Sequence, residues 1–312
     1  MTAELIERPT RSLTLPDLRA VRGSAALLEA MRPKQWAKQV FVGAAPLVGG
    51  VLVHWSSWPQ MLLAVVAFSL AASAGYLHND IGDVADDRKH PRKRFRPIAS
   101  GALPIPVARA ASFALFAIAI AVAGASSSDL AFVVAAYSVL TTTYTTYLKH
   151  IATVDVVAVA ACFTLRAIGG AVAVHVPVTI WFFVVATAAA LFLALGKREA
   201  ELKSLLEAGP DVEFSRRSLK NYSLKYVQTL RALSLATLVS SYIAWALVRT
   251  DGLTGHIPYF ALSIVPFLVV IARYVRSLNA GEGEDPQEVI RQDRVLLIAG
   301  AVTALLVGLG AY

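Results

Sequence analysis

The stretch MLLAVVAFSLAASAGYLHNDIGDVADDRKH, residues 61–90, holds the two facts from which the rest of the chain is read. Its first half is almost wholly apolar, and the run it belongs to, about 59–77, approaches the ~20 residues a helix needs to cross ~30 Å of hydrocarbon. Its second half places Asp80, Asp83, Asp86 and Asp87 at the mouth of that run, directly before the basic segment PRKRFRP. The whole chain follows the first half. Of its 312 residues 56% are hydrophobic and only 16% charged, against roughly 25% charged in soluble domains. The class is an all-α polytopic membrane protein.

Apolar runs recur at about 38–54, 59–77, 104–124, 130–148, 152–175, 178–196, 228–248, 258–275 and 295–311, which predicts nine transmembrane helices. The first contains Pro46 and several glycines, so a bent or broken segment is expected there. Cytoplasmic loops collect Lys and Arg. With nine spans, every Lys and Arg except Arg166 and Arg249 falls on one side. This predicts a multi-pass membrane protein with its N-terminus cytoplasmic and its C-terminus outside. Residues 1–24 read as a disordered basic tail and 25–312 as a single transmembrane domain, opening with an amphipathic helix over 25–37 that is interrupted at Pro33. The polar, basic character of residues 1–30 predicts no removable signal peptide. The net charge of +8 fits loops facing anionic lipid, and no nucleic-acid recognition motif accompanies it. The lone cysteine, Cys162, allows no disulfide framework within one chain. The sequence leaves the oligomeric state open, a homo-oligomer included.

The acidic cluster has the pattern N-D-x-x-D-x-x-x-D: Asn79, Asp80, Asp83 and Asp87. If the second helix continues through it, steps of three and four residues put these side chains on one face. Like charges so arranged repel, so something positive must bind them. One reading is a salt-bridged helix cap built with Arg88, Lys89, Arg92, Lys93 and Arg94. The other is Mg²⁺, which takes oxygen ligands and bridges carboxylates to substrate phosphates. Lys93, Arg94 and Arg96, in a loop bounded by prolines, are candidates to clamp phosphate oxygens. His78 and His90 flank the cluster and are read as structural or phosphate-contacting.

The other long charged loop begins LGKREAEL, residues 195–202. Topology brings Lys197, Arg198, Glu199 and Glu201 to the same membrane depth as the aspartates. A solvated segment with i, i+4 pairs such as Glu199–Lys203 is the plain alternative. Arg166 and Asp155 lie in one span, where charge is costly and points to function. They are three turns apart, so each needs a partner elsewhere. At the end of the fourth span, Tyr144 and Lys149 are candidates for an anionic substrate.

The acidic motif at the end of the second of nine helices closely resembles the UbiA superfamily of intramembrane prenyltransferases. In that superfamily the first acidic motif binds Mg²⁺ and a diphosphate. The resemblance implies a UbiA-like bundle with its active site on the cytoplasmic side, and Mg²⁺ on Asn79, Asp80, Asp83 and Asp87. The superfamily usually carries a second motif, D-x-x-x-D, after its sixth helix; KREAE, Lys197–Glu201, stands there instead. Together with RPKQWAK (32–38), which adds Lys34, Gln35 and Lys38, this resembles one branch. That branch moves 5-phosphoribose from phosphoribosyl pyrophosphate to decaprenyl phosphate, in precursor synthesis for cell-wall arabinan. The implied location is the bacterial plasma membrane, and the implied roles are catalytic for Asp80, Asp83, Asp87 and Lys197, and substrate-binding for Lys34, Gln35, Lys38, Asn79, Lys93, Arg94, Arg96, Tyr144, Lys149, Arg166, Arg198, Glu199 and Glu201. Two alternatives stay open: a prenyltransferase using a polyprenyl diphosphate with an aromatic or isoprenoid acceptor, and a transporter of an anionic metabolite.

Overall fold

The computed structural model describes residues 15–208, 221–251, 257–281 and 286–312. Among them every regular element is helical: α1 (Leu15–Ala30), a 3₁₀ segment (Pro33–Gly43), α2 (Ala44–Val48), α3 (Trp58–Gly82), α4 (Val84–Lys89), α5 (Ile105–Ser126), α6 (Ser128–Thr146), α7 (Val154–Ala173), α8 (Ile180–Ala208), α9 (Leu224–Asp251), α10 (Tyr259–Asn279), α11 (Pro286–Gln292) and α12 (Arg294–Ala311).

Seven helices among the described residues are long and apolar enough to cross a membrane: α3, α5, α7, α8, α9, α10 and α12. Two of the nine expected spans differ. The first is not a through-going helix, because a 3₁₀ segment and the five-residue α2 replace it. Pro46 and the glycines at 43, 49 and 50 explain this, Gly50 taking a positive φ of 69°. The second is α6, a 19-residue helix whose last turns read TTTYTT and so lower its apolarity. The helix expected over 25–37 is likewise divided, its first part closing α1 and its second part lying in the 3₁₀ segment. The expected tail overlaps α1 from Leu15 onward, and residues 1–14 lie outside the described residues.

The core forms around two groups of helices. Phe68 and Ala71 of α3, Leu130, Val134 and Tyr137 of α6, and Val42 of the 3₁₀ segment pack as one cluster. Phe192 of α8, Leu238 of α9, Tyr274 of α10 and Leu296 of α12 pack as another. The outward faces are apolar too, with Phe113, Ile298 and Leu305 all at least 60% exposed. Such contiguous apolar surface fits a bilayer.

Gly169 and Gly170 let α7 be approached from two directions. A Cβ on Gly170 would lie 1.8 Å from the Val42 carbonyl oxygen, and one on Gly169 would lie 2.3 Å from the Phe68 ring. The 3₁₀ segment therefore rests directly on the α7 backbone, one helical turn from Arg166. Gly170→Ala is expected to push the segment away and to cost ~2 kcal/mol as an overpacked contact. A clear fall in the thermal unfolding temperature in detergent is the readout.

Candidate active site

The acidic ladder is built across a helix junction. α3 carries Asn79 and Asp80 and ends at Gly82, and α4 carries Asp86 and Asp87. Asp83 sits between them. The helix is thus not continuous, but the backbone bonds Asp83 N to Asn79 O (2.9 Å) and Asp87 N to Asp83 O (2.8 Å) keep the four-residue register.

The ladder divides into two chemically different parts. Asp80 and Asp87 are 2% and 3% exposed. Arg32 Nη2 holds both oxygens of Asp80, at 2.6 and 2.8 Å. Arg96 Nη1 spans the pair, 3.2 Å from Asp80 and 2.7 Å from Asp87. Two buried carboxylates side by side need such shared cations, since an unpaired buried charge is strongly destabilising. Asp83, by contrast, keeps 31% of its side chain open. Lys149 Nζ reaches it at 2.5 Å from the short 3₁₀ turn after α6, and Asn79 Nδ2 donates to its other oxygen at 2.9 Å.

The partners therefore come from three separate places and not from the cap of Arg88, Lys89, Arg92, Lys93 and Arg94. Arg88 donates to the Ala99 carbonyl at 3.1 Å, and Arg94 lies over the Phe95 ring. His90 Nδ1 accepts from the backbone N–H groups of Arg92 and Lys93, so this histidine shapes the loop. Of the basic loop, Arg96 alone is shown pairing with the ladder. Arg32 is the residue that sequence reasoning passed over. It has a left-handed backbone, φ 54° and ψ 62°, and its guanidinium lies 4.9 Å over the Tyr76 ring. Such a conformation in a non-glycine residue costs ~1–3 kcal/mol and persists only when surroundings impose it. The signal for it was present, because Arg32 opens the RPKQWAK motif.

The second pole is not a solvated loop. α8 continues to Ala208, so KREAE is helical, and Arg198 and Glu199 are 4% and 2% exposed. Arg198 reaches Asp155, itself fully enclosed at the start of α7, at 2.8 Å and also pairs with Glu201. The Tyr222 hydroxyl donates to the other Asp155 oxygen at 2.5 Å and accepts from the Thr153 N–H. Burial and then the bond to the Asp155 carboxylate push the Tyr222 hydroxyl well above its usual range, so it stays protonated as the donor. Glu199 is held by Arg231 at 2.6 Å, by the expected i, i+4 partner Lys203 at 2.9 Å, and by Gln228 at 3.2 Å. Lys197 is the exposed member.

Arg166 is buried in the bundle and donates to Gln39 Oε1, the Cys162 carbonyl and the Tyr137 hydroxyl. Lys34 and Arg94 are exposed, and Gln35, Lys38, Lys93 and Tyr144 are half-buried. Neither Lys34 nor Lys93 is shown in an ion pair with the ladder among the described residues. No three His, Cys, Asp or Glu side chains among the described residues converge as a metal cage.

Residues 41–292 match the model of the UbiA prenyltransferase family. The decaprenyl-phosphate phosphoribosyltransferase of Mycobacterium tuberculosis is 38% identical over 288 residues, covering 91% of this chain and 93% of that protein. The Corynebacterium glutamicum protein of the same name is 35% identical over 290 residues, covering 92% and 86%. The fold matches that of a UbiA homolog from Archaeoglobus fulgidus bound to GPP and Mg²⁺, with TM-score 0.65, 17% identity, and coverage of 91% of this chain and 98% of that one. It also matches the apo structure of a UbiA homolog from Aeropyrum pernix K1, with TM-score 0.57, 21% identity, and coverage of 87% and 96%. The all-helical bundle, the acidic motif at the end of α3 and the relatives agree: the chain belongs to the UbiA prenyltransferase family.

Proposed function

We propose that this protein transfers 5-phosphoribose from phosphoribosyl pyrophosphate to decaprenyl phosphate and releases pyrophosphate. It does so as one catalytic domain over residues 25–312, with nine membrane passages counting the broken segment and α6, and with both poles at the cytoplasmic face. The observation that carries this reading is the KREAE pole. Where an ordinary member of the family offers a second carboxylate cluster for a prenyl diphosphate, this chain buries Arg198 against Asp155 and Glu199 against Arg231, and leaves Lys197 exposed. A donor with a 5-phosphate as well as a diphosphate, and an acceptor with a phosphate of its own, call for cations there. The 38% identity to decaprenyl-phosphate phosphoribosyltransferase supports the same reading.

The donor set fits Mg²⁺. It is all oxygen, Asp83 is open, and no hydrogen bond to the side-chain Oδ1 of Asn79 is shown among the described residues. An ion that keeps waters and phosphate ligands needs only one or two protein carboxylates. Asp83 and Asn79, backed by Asp80 and Asp87, would hold it. When bound, it neutralises charge on the departing diphosphate. The remaining work belongs to the side chains. Arg32, Arg96 and Lys149 fix the carboxylates in place. Lys197 receives phosphate charge at the second pole. The nucleophile is a lipid phosphate oxygen, already anionic at neutral pH, so the reaction needs no general base.

Ligand-induced stabilisation tests the donor. Phosphoribosyl pyrophosphate with Mg²⁺, at ~100 times its Kd, is expected to add about 2.7 kcal/mol to the folded state, and geranyl diphosphate with Mg²⁺ far less. The reverse order would favour a prenyl donor.

A further inference from the structure

Arg166 lies apart from both poles. It stands eleven residues beyond Asp155 on α7, about 16 Å along the helix axis. It is 4% exposed, and each partner it has is neutral: the Gln39 Oε1 at 3.2 Å, the Cys162 carbonyl at 3.0 Å and the Tyr137 hydroxyl at 2.6 Å. The rings of Tyr137 and Phe163 lie 4.7 and 5.3 Å from the guanidinium. No carboxylate pairs with it among the described residues. An uncompensated cation inside a membrane bundle is expensive. Beside it stands a second unfinished group. Gln39 is 3% exposed, and its Nε2 donor has no hydrogen-bond partner among the described residues. Gln39 sits there because Gly170 lets the 3₁₀ segment rest on α7.

A cation without an anion and a donor without an acceptor, at one spot, are complementary to a single ligand: a phosphate monoester. Both substrates of the proposed reaction carry one. The position decides between them. Arg166 lies on the membrane side of the acidic ladder, yet its partner Gln39 belongs to the 3₁₀ segment that begins directly after Arg32, the residue that clamps Asp80. A lipid enters with its chain in the hydrocarbon and its head toward the poles. We propose that Arg166, Gln39 and Tyr137 form the subsite for the phosphate head of the lipid acceptor, which there lies ready to attack the donor held between the poles. This inference rests on the proposed function for its choice of ligand.

The test measures binding to the full-length protein in nanodiscs, with farnesyl phosphate, farnesol, ribose 5-phosphate and phosphoribosyl pyrophosphate–Mg²⁺ as separate probes. Arg166→Met is expected to weaken farnesyl phosphate ~100-fold, as truncating one partner of a buried charge pair does. Gln39→Leu is expected to weaken it several-fold and Arg166→Lys to restore part of the loss. Farnesol and the donor are expected to bind as in the wild type. A folded Arg166→Met protein that binds farnesyl phosphate normally would overturn the assignment. So would a loss confined to ribose 5-phosphate and the donor, which would give the subsite to the donor. If Arg166→Met does not fold, unchanged affinity in Gln39→Leu overturns it instead. Phosphate-dependent lipid binding that follows these variants, in a protein that transfers no ribose, would leave the subsite standing and remove the proposed reaction.

Discussion

Asp83→Ala is expected to lower phosphoribosyl transfer by ~10³-fold while the bundle stays folded. The two halves of this expectation have separate causes. Asp83 is the one carboxylate of the motif with an open side chain, so it is the one a metal-bound diphosphate can reach without displacing an arginine. Loss of a group that stabilises charge developing in the transition state typically costs 10²–10³ in rate; here the loss also weakens donor binding. Stability should hardly move. Lys149 and Asn79 lose a partner, but both sit where water can replace it, and partly exposed ion pairs contribute ~1 kcal/mol or less. Asp86→Ala is the matched control. Asp86 is three residues along, exposed, and outside the N-D-x-x-D-x-x-x-D pattern, so near-normal rates are expected. Initial rates at saturating donor, with unfolding temperatures for both variants, check this. Equal losses in the two would mean that overall negative charge matters and not the position of Asp83.

Arg198→Ala is expected to fail for the opposite reason, through stability. Its removal takes away the charged partner of Asp155, which is fully enclosed and otherwise bonded to the neutral Tyr222 hydroxyl. Breaking a buried ion pair from one side costs ~3–5 kcal/mol, and at ~2–4 °C per kcal/mol for a large domain the unfolding temperature should fall by about 10 °C. The double variant Arg198→Met with Asp155→Asn is expected to recover much of that loss, because replacing both charges removes the stranded one. It should stay inactive if Arg198 also helps to hold the second pole against donor phosphates. Thermal unfolding in detergent, run with and without donor, separates the two effects. A double variant no more stable than Arg198→Ala would show that the Arg198–Asp155 pair is not what the single variant breaks.

The helices were legible because apolar runs of the right length have one solution in a bilayer, where every backbone group must bond within its own segment. The errors arose where another force sets the boundary. α8 was expected to stop near residue 196, where apolarity ends. It runs on to Ala208 because KREAELKSLLEA is made of strong helix formers. The first span was marked by its proline and glycines, yet nothing in the pattern announces that Pro33–Gly43 winds as a 3₁₀ segment. Asn79, Asp80, Asp83 and Asp87 were visible from their spacing. Their partition into an enclosed, arginine-clamped pair and an open carboxylate was not, because it depends on Arg32, 48 positions from Asp80, folding back through a left-handed turn. Asp155 and Arg166 announced themselves as costly charges in one span. Their true partners, Arg198 and the neutral Gln39 and Tyr137, are set by helix packing, which a single sequence does not record.

The central claim concerns which group is transferred. The direct measurement uses purified protein in detergent with Mg²⁺ and decaprenyl phosphate. It offers phosphoribosyl pyrophosphate labelled in the ribose, and in parallel a polyprenyl diphosphate with 4-hydroxybenzoate. The account predicts label in the organic-extractable lipid, lost when EDTA is added, and no prenylated aromatic. Prenylated 4-hydroxybenzoate without ribose transfer would contradict it and make the chain a prenyl-diphosphate enzyme.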